Sequence, residues 1–216
     1  MTNVLLIGGS GLVGRKVAQR LAARPDIALT SLVRREPHAR YERQFDFEML
    51  LHNGSEALGV DQADVAISCL GTTMRAAESK GAFRRIDHDY VRAFAQAALR
   101  YGARQFILVS SVGATRRTSN YYLATKAEIE ASILKLGFER VDIIRPGLLL
   151  GTRREFRLGE RVATWLVPLL HPLLRGQLAR YRATHSDTVA RAISELIGAE
   201  TAGSFLYENP QLDLVA

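Results

Sequence analysis

Tyr122 and Lys126 stand four residues apart in Tyr-Tyr-Leu-Ala-Thr-Lys, so on a helix their side chains share one face. A phenol with a pKa near 10 is a weak acid–base at neutral pH, and a neighbouring ammonium favours its ionised form. Lowering that pKa by about three units takes roughly 4 kcal/mol of differential stabilisation, and an ammonium in a partly dry site supplies part of it. Such a phenol exchanges a proton with a carbonyl or alcohol. Ser110-Ser111 closes the apolar run just before this helix, and Ser111 is the candidate to hold the reacting oxygen. Ser111, Tyr122 and Lys126 are therefore the candidate catalytic set.

A second pattern lies at the other end of the chain. Asn3 to Ile7 is apolar and ends in Gly8-Gly9-Ser10-Gly11-Leu12-Val13-Gly14, after which Val17 and Leu21 continue with helical spacing. Gly9, Gly11 and Gly14 fit G-x-G-x-x-G, while Gly8, Gly11 and Gly14 fit G-x-x-G-x-x-G. Either register gives a tight turn, close backbone approach to a pyrophosphate and a helix N-terminus facing the anion. Gly8, Ser10, Gly11, Leu12, Val13 and Gly14 are thus candidate dinucleotide contacts. At the end of the second apolar run, where a ribose-binding acid is usual for NAD, the chain has Arg34-Arg35, with Glu36 only afterwards. A guanidinium binds a 2′-phosphate bidentately, so NADP(H) is favoured over NAD(H). The cationic nicotinamide would add to the field of Lys126, and the lysine would also hold ribose hydroxyls.

These residues need a scaffold. Apolar runs at Ile27–Val33, Asp64–Leu70, Phe106–Val109 and Val141–Ile144 read as strands, with a weak one around Phe45 and Phe47. They alternate with amphipathic helices over about Ile86–Tyr101 and Tyr121–Leu136. The expected fold is α/β, a doubly wound parallel Rossmann sheet with helices on both faces. The whole chain, 1–216, reads as one domain. Residues 147–203 are expected to add a small substrate lobe over the carboxyl edge, where open α/β sheets bind ligands. The last part holds a helix over about Thr188–Ile197, with Asp187 as its cap, and a strand at Ser204–Tyr207.

Composition narrows the rest. Cys69 is the only cysteine, which excludes a disulfide scaffold and suits a reducing setting; a cytoplasmic location is expected. Cys69 ends an apolar strand and is read as packing. The net charge is +7, from 29 basic and 22 acidic residues, but the arginine pairs are scattered rather than gathered on one element, so no nucleic acid is expected. His38, His52, His88, His171 and His185 lack ligand spacing, so no metal is expected. Asp87 and Asp89 diverge on a helix and do not read as a carboxylate pair. The apolar stretch between Arg161 and Arg175 has a membrane-surface reading. Its two prolines favour a lobe or subunit interface instead, so no membrane binding is expected and a homodimer remains open.

Taken together, Gly8 to Gly14, Cys69-Leu70-Gly71-Thr72-Thr73, Asp87-His88-Asp89-Tyr90, Ser110 to Ala114, Tyr122 to Lys126 and Arg145-Pro146-Gly147 resemble the short-chain dehydrogenase/reductase superfamily. The resemblance is to its atypical, epimerase-like branch, and within it most to the Tat-interacting-protein-like oxidoreductases. It implies a Rossmann-fold NADP(H) binder with Ser111, Tyr122 and Lys126 at the catalytic positions. It also implies Asp46 and Phe47 at the adenine, Leu70, Gly71 and Thr72 on the ribose and pyrophosphate side, and the segment after Pro146 at the nicotinamide, with Ser110 and Pro146 counted among the cofactor contacts. Where many members carry an Asn that supports a proton relay, this chain has Asp87. Its substrate lobe is shorter than in sugar epimerases, which argues against a bulky nucleotide-sugar. The expected function is an oxidoreductase acting on a small-molecule carbonyl or alcohol; the alternative is a dinucleotide-binding regulator with little turnover, working through protein partners.

Overall fold

Alternate residues of the first strand serve two different cores. In β1 (Thr2–Ile7), Leu5 and Ile7 face one apolar cluster while Val4 and Leu6 face another, and all four are buried. A strand apolar on both faces belongs inside a parallel sheet covered by helices on each side. The computed structural model, which describes residues 1–52, 58–150 and 176–216, has this arrangement. Its main sheet joins β1 to β2 (Ile27–Val33), β3 (Glu42–Gln44), β4 (Val65–Ser68), β5 (Gln105–Val109) and β6 (Arg140–Ile144). A seventh strand, β9 (Gly203–Tyr207), completes the order β3-β2-β1-β4-β5-β6-β9, and all pairings are parallel. The short strands β7 (Leu149–Leu150) and β8 (Thr184–His185) pair separately.

Helices cover both faces. On one side α1 (Leu12–Ala22) packs with α7 (Ser186–Leu196): Val13, Val17 and Leu21 meet the cluster of Val189, Ala192, Ile193 and Leu196. On the other, α5 (Tyr90–Arg100) and α6 (Tyr121–Ile133) contribute Val91, Phe94, Ala98, Ile129 and Ile133. Chain order reverses direction across the sheet between β1 and β4, so a crevice opens at their carboxyl ends.

Three expectations need correction. The third strand lies at Glu42–Gln44, ahead of Phe45 and Phe47, because both rings are buried in the core and pack edge-on at 5.5 Å. Asp187 does not cap its helix. That helix begins at Ser186 with His185 at the cap position, and Asp187, in its first turn, pairs with Lys16 and Arg20 of α1. The carboxyl is held below the usual aspartate range chiefly by Lys16, so it ties α7 to α1 instead. The helix read from Ile86 begins differently too. Short helices α2 (Glu48–His52), α3 (Met74–Ala77) and α4 (Lys80–Arg84) come first, and a π-helical turn over Arg85–Asp89 leads into α5. Thr73 and Ser79 cap α3 and α4 through the N–H groups of Ala76 and Ala82. Residues 151–175 of the expected lobe, Arg161 to Arg175 among them, lie outside the described residues.

A buried polar network locks the far end of the sheet. The Gln105 amide donates to Asp142 and to the Leu196 carbonyl, each at 2.7 Å, and its oxygen accepts the Gly198 N–H at 3.0 Å. Arg140 closes on Asp142, and its guanidinium lies 4.1 Å from the centre of the Phe205 ring. Gln105→Leu strips partners from the Leu196 carbonyl and the Gly198 N–H together. It is expected to lower stability by about 2 kcal/mol, read as a shift in the urea midpoint at unchanged m-value.

Candidate active site

The loop after β1 is built from backbone packed against backbone. Gly8 has φ +79°, and a Cβ there would lie 2.4 Å from the Cys69 carbonyl carbon and the Leu70 nitrogen. The carboxyl ends of β1 and β4 thus touch through a residue that only glycine can supply. A Cβ on Gly14 would lie 2.2 Å from the Gly8 carbonyl oxygen, so this glycine lets α1 press onto the loop. Ser10 and Gly11 are exposed, Leu12 is half-buried, and Val13 turns its side chain into the core. Gly11 occupies the cap position of α1 and offers no side chain to it, and the first turn carries no acidic residue. Uncapped N–H groups at an eleven-residue helix, behind a cradle that a Cβ would fill, suit a pyrophosphate.

At the end of β2 the two arginines differ. Arg35 is held by Glu42 through two contacts, at 2.9 and 2.7 Å, and also donates to the Glu36 carbonyl. Arg34 is exposed, and among the described residues its guanidinium has no partner. Asp46 is exposed as well, although one oxygen accepts the Glu48 N–H at 3.0 Å and starts α2. Phe47, 4% exposed, packs against Tyr90 at 5.9 Å, so the face implied for adenine is turned into the core.

Across the crevice, Asn120 caps α6 by accepting the Leu123 N–H, which sets Tyr122 in the first turn and Lys126 one turn further on. The Tyr122 ring packs on Phe83 at 5.7 Å, and the Lys126 ammonium lies 6.0 Å from the ring's centre. The residue that spacing did not bring forward is Asp87. Its Oδ1 is 2.7 Å from Lys126 Nζ, with the side chains 0% and 6% exposed, and its Oδ2 accepts the Thr72 N–H at 2.8 Å. Burial pulls the Lys126 ammonium down, but the charge of Asp87, Tyr122, the Asp87 hydrogen bond and Glu130 together outweigh it and hold the lysine above its usual range. Asp87 therefore joins the loop Leu70-Gly71-Thr72 to the candidate catalytic lysine.

The two serines part company. The Ser110 hydroxyl is buried and donates to Glu130, which also binds Arg145 through Nε at 2.9 Å, while Arg145 reaches Glu208 at 3.3 Å. Ser110 thus fastens the end of β5 to α6, and Arg145 fastens the end of β6. Ser111 is half-buried, and among the described residues its hydroxyl has only a 3.3 Å contact to the Val112 carbonyl; Pro146 is buried with its carbonyl accepting the Val112 N–H. Cys69 is a packing residue by its chemistry: desolvation pushes its thiol up to about 12, far from a thiolate nucleophile at neutral pH.

A family model described as NAD(P)H-binding matches residues 8–155, which takes in the glycine loop, the Asp87 turn and the Tyr122–Lys126 helix. The chain belongs to this NAD(P)H-binding family. It is 33% identical over 216 residues to Protein HTATIP2 of Rattus norvegicus, covering 96% of this chain and 86% of that one. It is also 33% identical over 217 residues to the mitochondrial Protein fmp52 of Emericella nidulans, covering 94% and 93%. Among solved structures, human epimerase family protein SDR39U1 with NADPH superposes with a TM-score of 0.67 at 17% identity, covering 97% and 75%. The dTDP-4-dehydrorhamnose reductase from Yersinia enterocolitica gives 0.71 at 16%, covering 96% and 75%. These likenesses share the α/β Rossmann fold, and the resemblance read from the motifs is met by the HTATIP2 relative. The cytoplasmic location does not stand, because fungal relatives are named mitochondrial proteins. A lone cysteine separates oxidising from reducing settings and does not tell one reducing compartment from another.

Proposed function

We propose that the chain is an NADP(H)-dependent oxidoreductase acting on a small-molecule carbonyl or alcohol, with Tyr122 as its acid–base. One observation carries this reading: the Lys126 ammonium lies 6.0 Å from the Tyr122 ring centre while its counter-ion Asp87 grips the Leu70–Thr72 loop. A proton-transfer group and a cofactor loop are thereby linked at the sheet's carboxyl edge. The Gly8–Gly14 loop and the α1 N-terminus would hold the pyrophosphate, Lys126 the ribose beside the nicotinamide, and Arg34 the 2′-phosphate. When bound, the nicotinamide supplies or accepts the hydride. Tyr122 gives or takes the proton at the substrate oxygen, and Ser111 holds that oxygen by a hydrogen bond. Oxidation of NADPH against a panel of small aldehydes and ketones tests the proposal; no consumption above the substrate-free rate with any of them counts against it.

The cofactor preference has its own test. Arg34→Ala is expected to weaken NADPH about tenfold and leave NADH nearly unchanged, as one exposed charge-assisted contact contributes about 1.5 kcal/mol. Arg35→Ala should cost less, because Glu42 already holds that guanidinium. Titration by cofactor fluorescence reads both, and equal affinities of the wild type for NADPH and NADH would remove the role given to Arg34. The regulatory alternative, in which the dinucleotide binds with little turnover, has one observation in its favour: the charge of Lys126 is already matched by Asp87. It expects NADPH affinity without consumption.

A further inference from the structure

An ammonium lowers the cost of ionising a nearby phenol only to the extent that its charge is unopposed. Lys126 is opposed at contact distance. Asp87 comes from the π-helical turn Arg85–Asp89, is fully buried, and meets Lys126 Nζ at 2.7 Å. The other charged groups around this pair are spent elsewhere. Glu130, one turn beyond Lys126 on α6, binds Ser110 and Arg145. From the turn and its approach, Arg84 pairs with Glu128, Arg85 with Glu48, and His88 with Asp89. Lys80, from α4, lies over the Tyr121 ring rather than Tyr122. Of the charges on these elements, Asp87 alone contacts the lysine that faces Tyr122.

We propose that Asp87 is a positioning counter-ion that cancels the charge of Lys126, leaving the set Tyr122, Lys126 and Asp87 without net charge while the phenol is protonated, so that Tyr122 serves as a proton donor and the site works in carbonyl reduction. The proposal rests on the acid–base role given to Tyr122. In the reduction, the carbonyl carbon gains the hydride of NADPH, the C=O π pair moves to oxygen, and the phenol proton is transferred to that oxygen. Solvent then reprotonates the phenol. A phenol kept in its protonated form is ready for this at neutral pH, whereas alcohol oxidation needs the phenolate first. Asp87 also holds Thr72, so the same carboxylate sets the lysine's charge and the position of the cofactor loop.

Phenolate absorbance tests the proposal without turnover. The chain has seven tyrosines, and subtracting the trace of Tyr122→Phe isolates the one in question. Removing the counter-charge in Asp87→Asn is expected to move the Tyr122 trace about one pH unit lower, the effect of one charge acting at an effective dielectric constant of about 20. Asp87→Glu, which keeps the charge, should stay near wild type, and that contrast separates charge from shape. A trace that rises at the same pH in Asp87→Asn and wild type, or in neither within the folded range, overturns the proposal. So does an equal shift in Asp87→Glu. If Asp87→Asn does not fold, Asp87→Asn combined with Lys126→Met removes both buried charges. Its trace should overlay wild type, and one displaced upward shows that the lysine's charge was acting in wild type and overturns the proposal. The wild-type panel with NADPH separates the two levels of claim. Absence of NADPH consumption there defeats the oxidoreductase reading, whereas the absorbance traces decide the role of Asp87 by themselves.

Discussion

Tyr122→Phe is expected to reduce kcat by about 10³-fold while changing NADPH affinity by less than about threefold. Losing a positioned proton donor typically costs 10²–10⁴ in rate, and the fall should appear equally in kcat and kcat/KM because the contact matters in the transition state. The substitution keeps what the ring does for the fold. Its 5.7 Å contact with Phe83 survives, and the Lys126–Asp87 pair, made through other atoms, is untouched. The melting temperature should therefore stay within a degree or two of wild type. Steady-state rates with the best carbonyl from the panel, beside a fluorescence titration of NADPH, provide the check. Retained turnover at the wild-type level would end the assignment of Tyr122 as acid–base. Retained biological activity together with absent turnover in the wild type would favour the regulatory alternative.

The sequence makes this residue visible because its partner is local. Tyr122 and Lys126 are joined by the pitch of one helix, and the glycines of Gly8–Gly14 by one turn, so spacing alone brings both patterns forward. The strands of the sheet are legible for a related reason: β1, β4, β5 and β6 are buried on both faces and read as short apolar runs between helices. Contacts made across the fold are a different matter. Asp87 and Lys126 are 39 residues apart, and nothing in either neighbourhood marks them as a pair. The divergence of Asp87 from Asp89 is legible and correct as far as it goes, since Asp89 turns to His88 while Asp87 turns inward. Arg35 looked as available as Arg34 until β3 brought Glu42 beside it. Phe47 and Ser110 show the same limit. A motif gives their positions along the edge, whereas the core cluster and Glu130 decide where their side chains point.

That division also explains why the two halves of the site differ in robustness. The Tyr122 half depends on side-chain atoms, so a conservative change there alters the chemistry and leaves the fold standing. The glycine half depends on absent atoms. Glu130, Arg145 and Ser110 brace the ends of β5 and β6 with hydrogen bonds that a substitution weakens by degrees. At Gly8 and Gly14, by contrast, backbone lies where a side chain would start, and no rotamer change relieves the overlap.

Gly14→Val should accordingly be the most damaging single change to the fold and to cofactor binding together. Its Cβ would sit 2.2 Å from the Gly8 carbonyl oxygen and 3.0 Å from the Gly9 Cα, so α1 must move away from the end of β1. That displacement opens the packing of Val13, Val17 and Leu21 against the sheet and α7. Overpacking of a core usually costs 1–3 kcal/mol, and a backbone clash that side chains cannot absorb belongs in the upper tail, about 4 kcal/mol. The same movement carries the N–H groups of the α1 N-terminus off the position a pyrophosphate needs, so NADPH affinity should fall at least about 100-fold in whatever fraction remains folded. Chemical denaturation and cofactor titration on the same preparation separate these effects. A variant that melts near the wild-type temperature and binds NADPH normally would show that the loop and helix accommodate a β-branched side chain, and the Gly8–Gly14 cradle would lose its place as the cofactor's anchor.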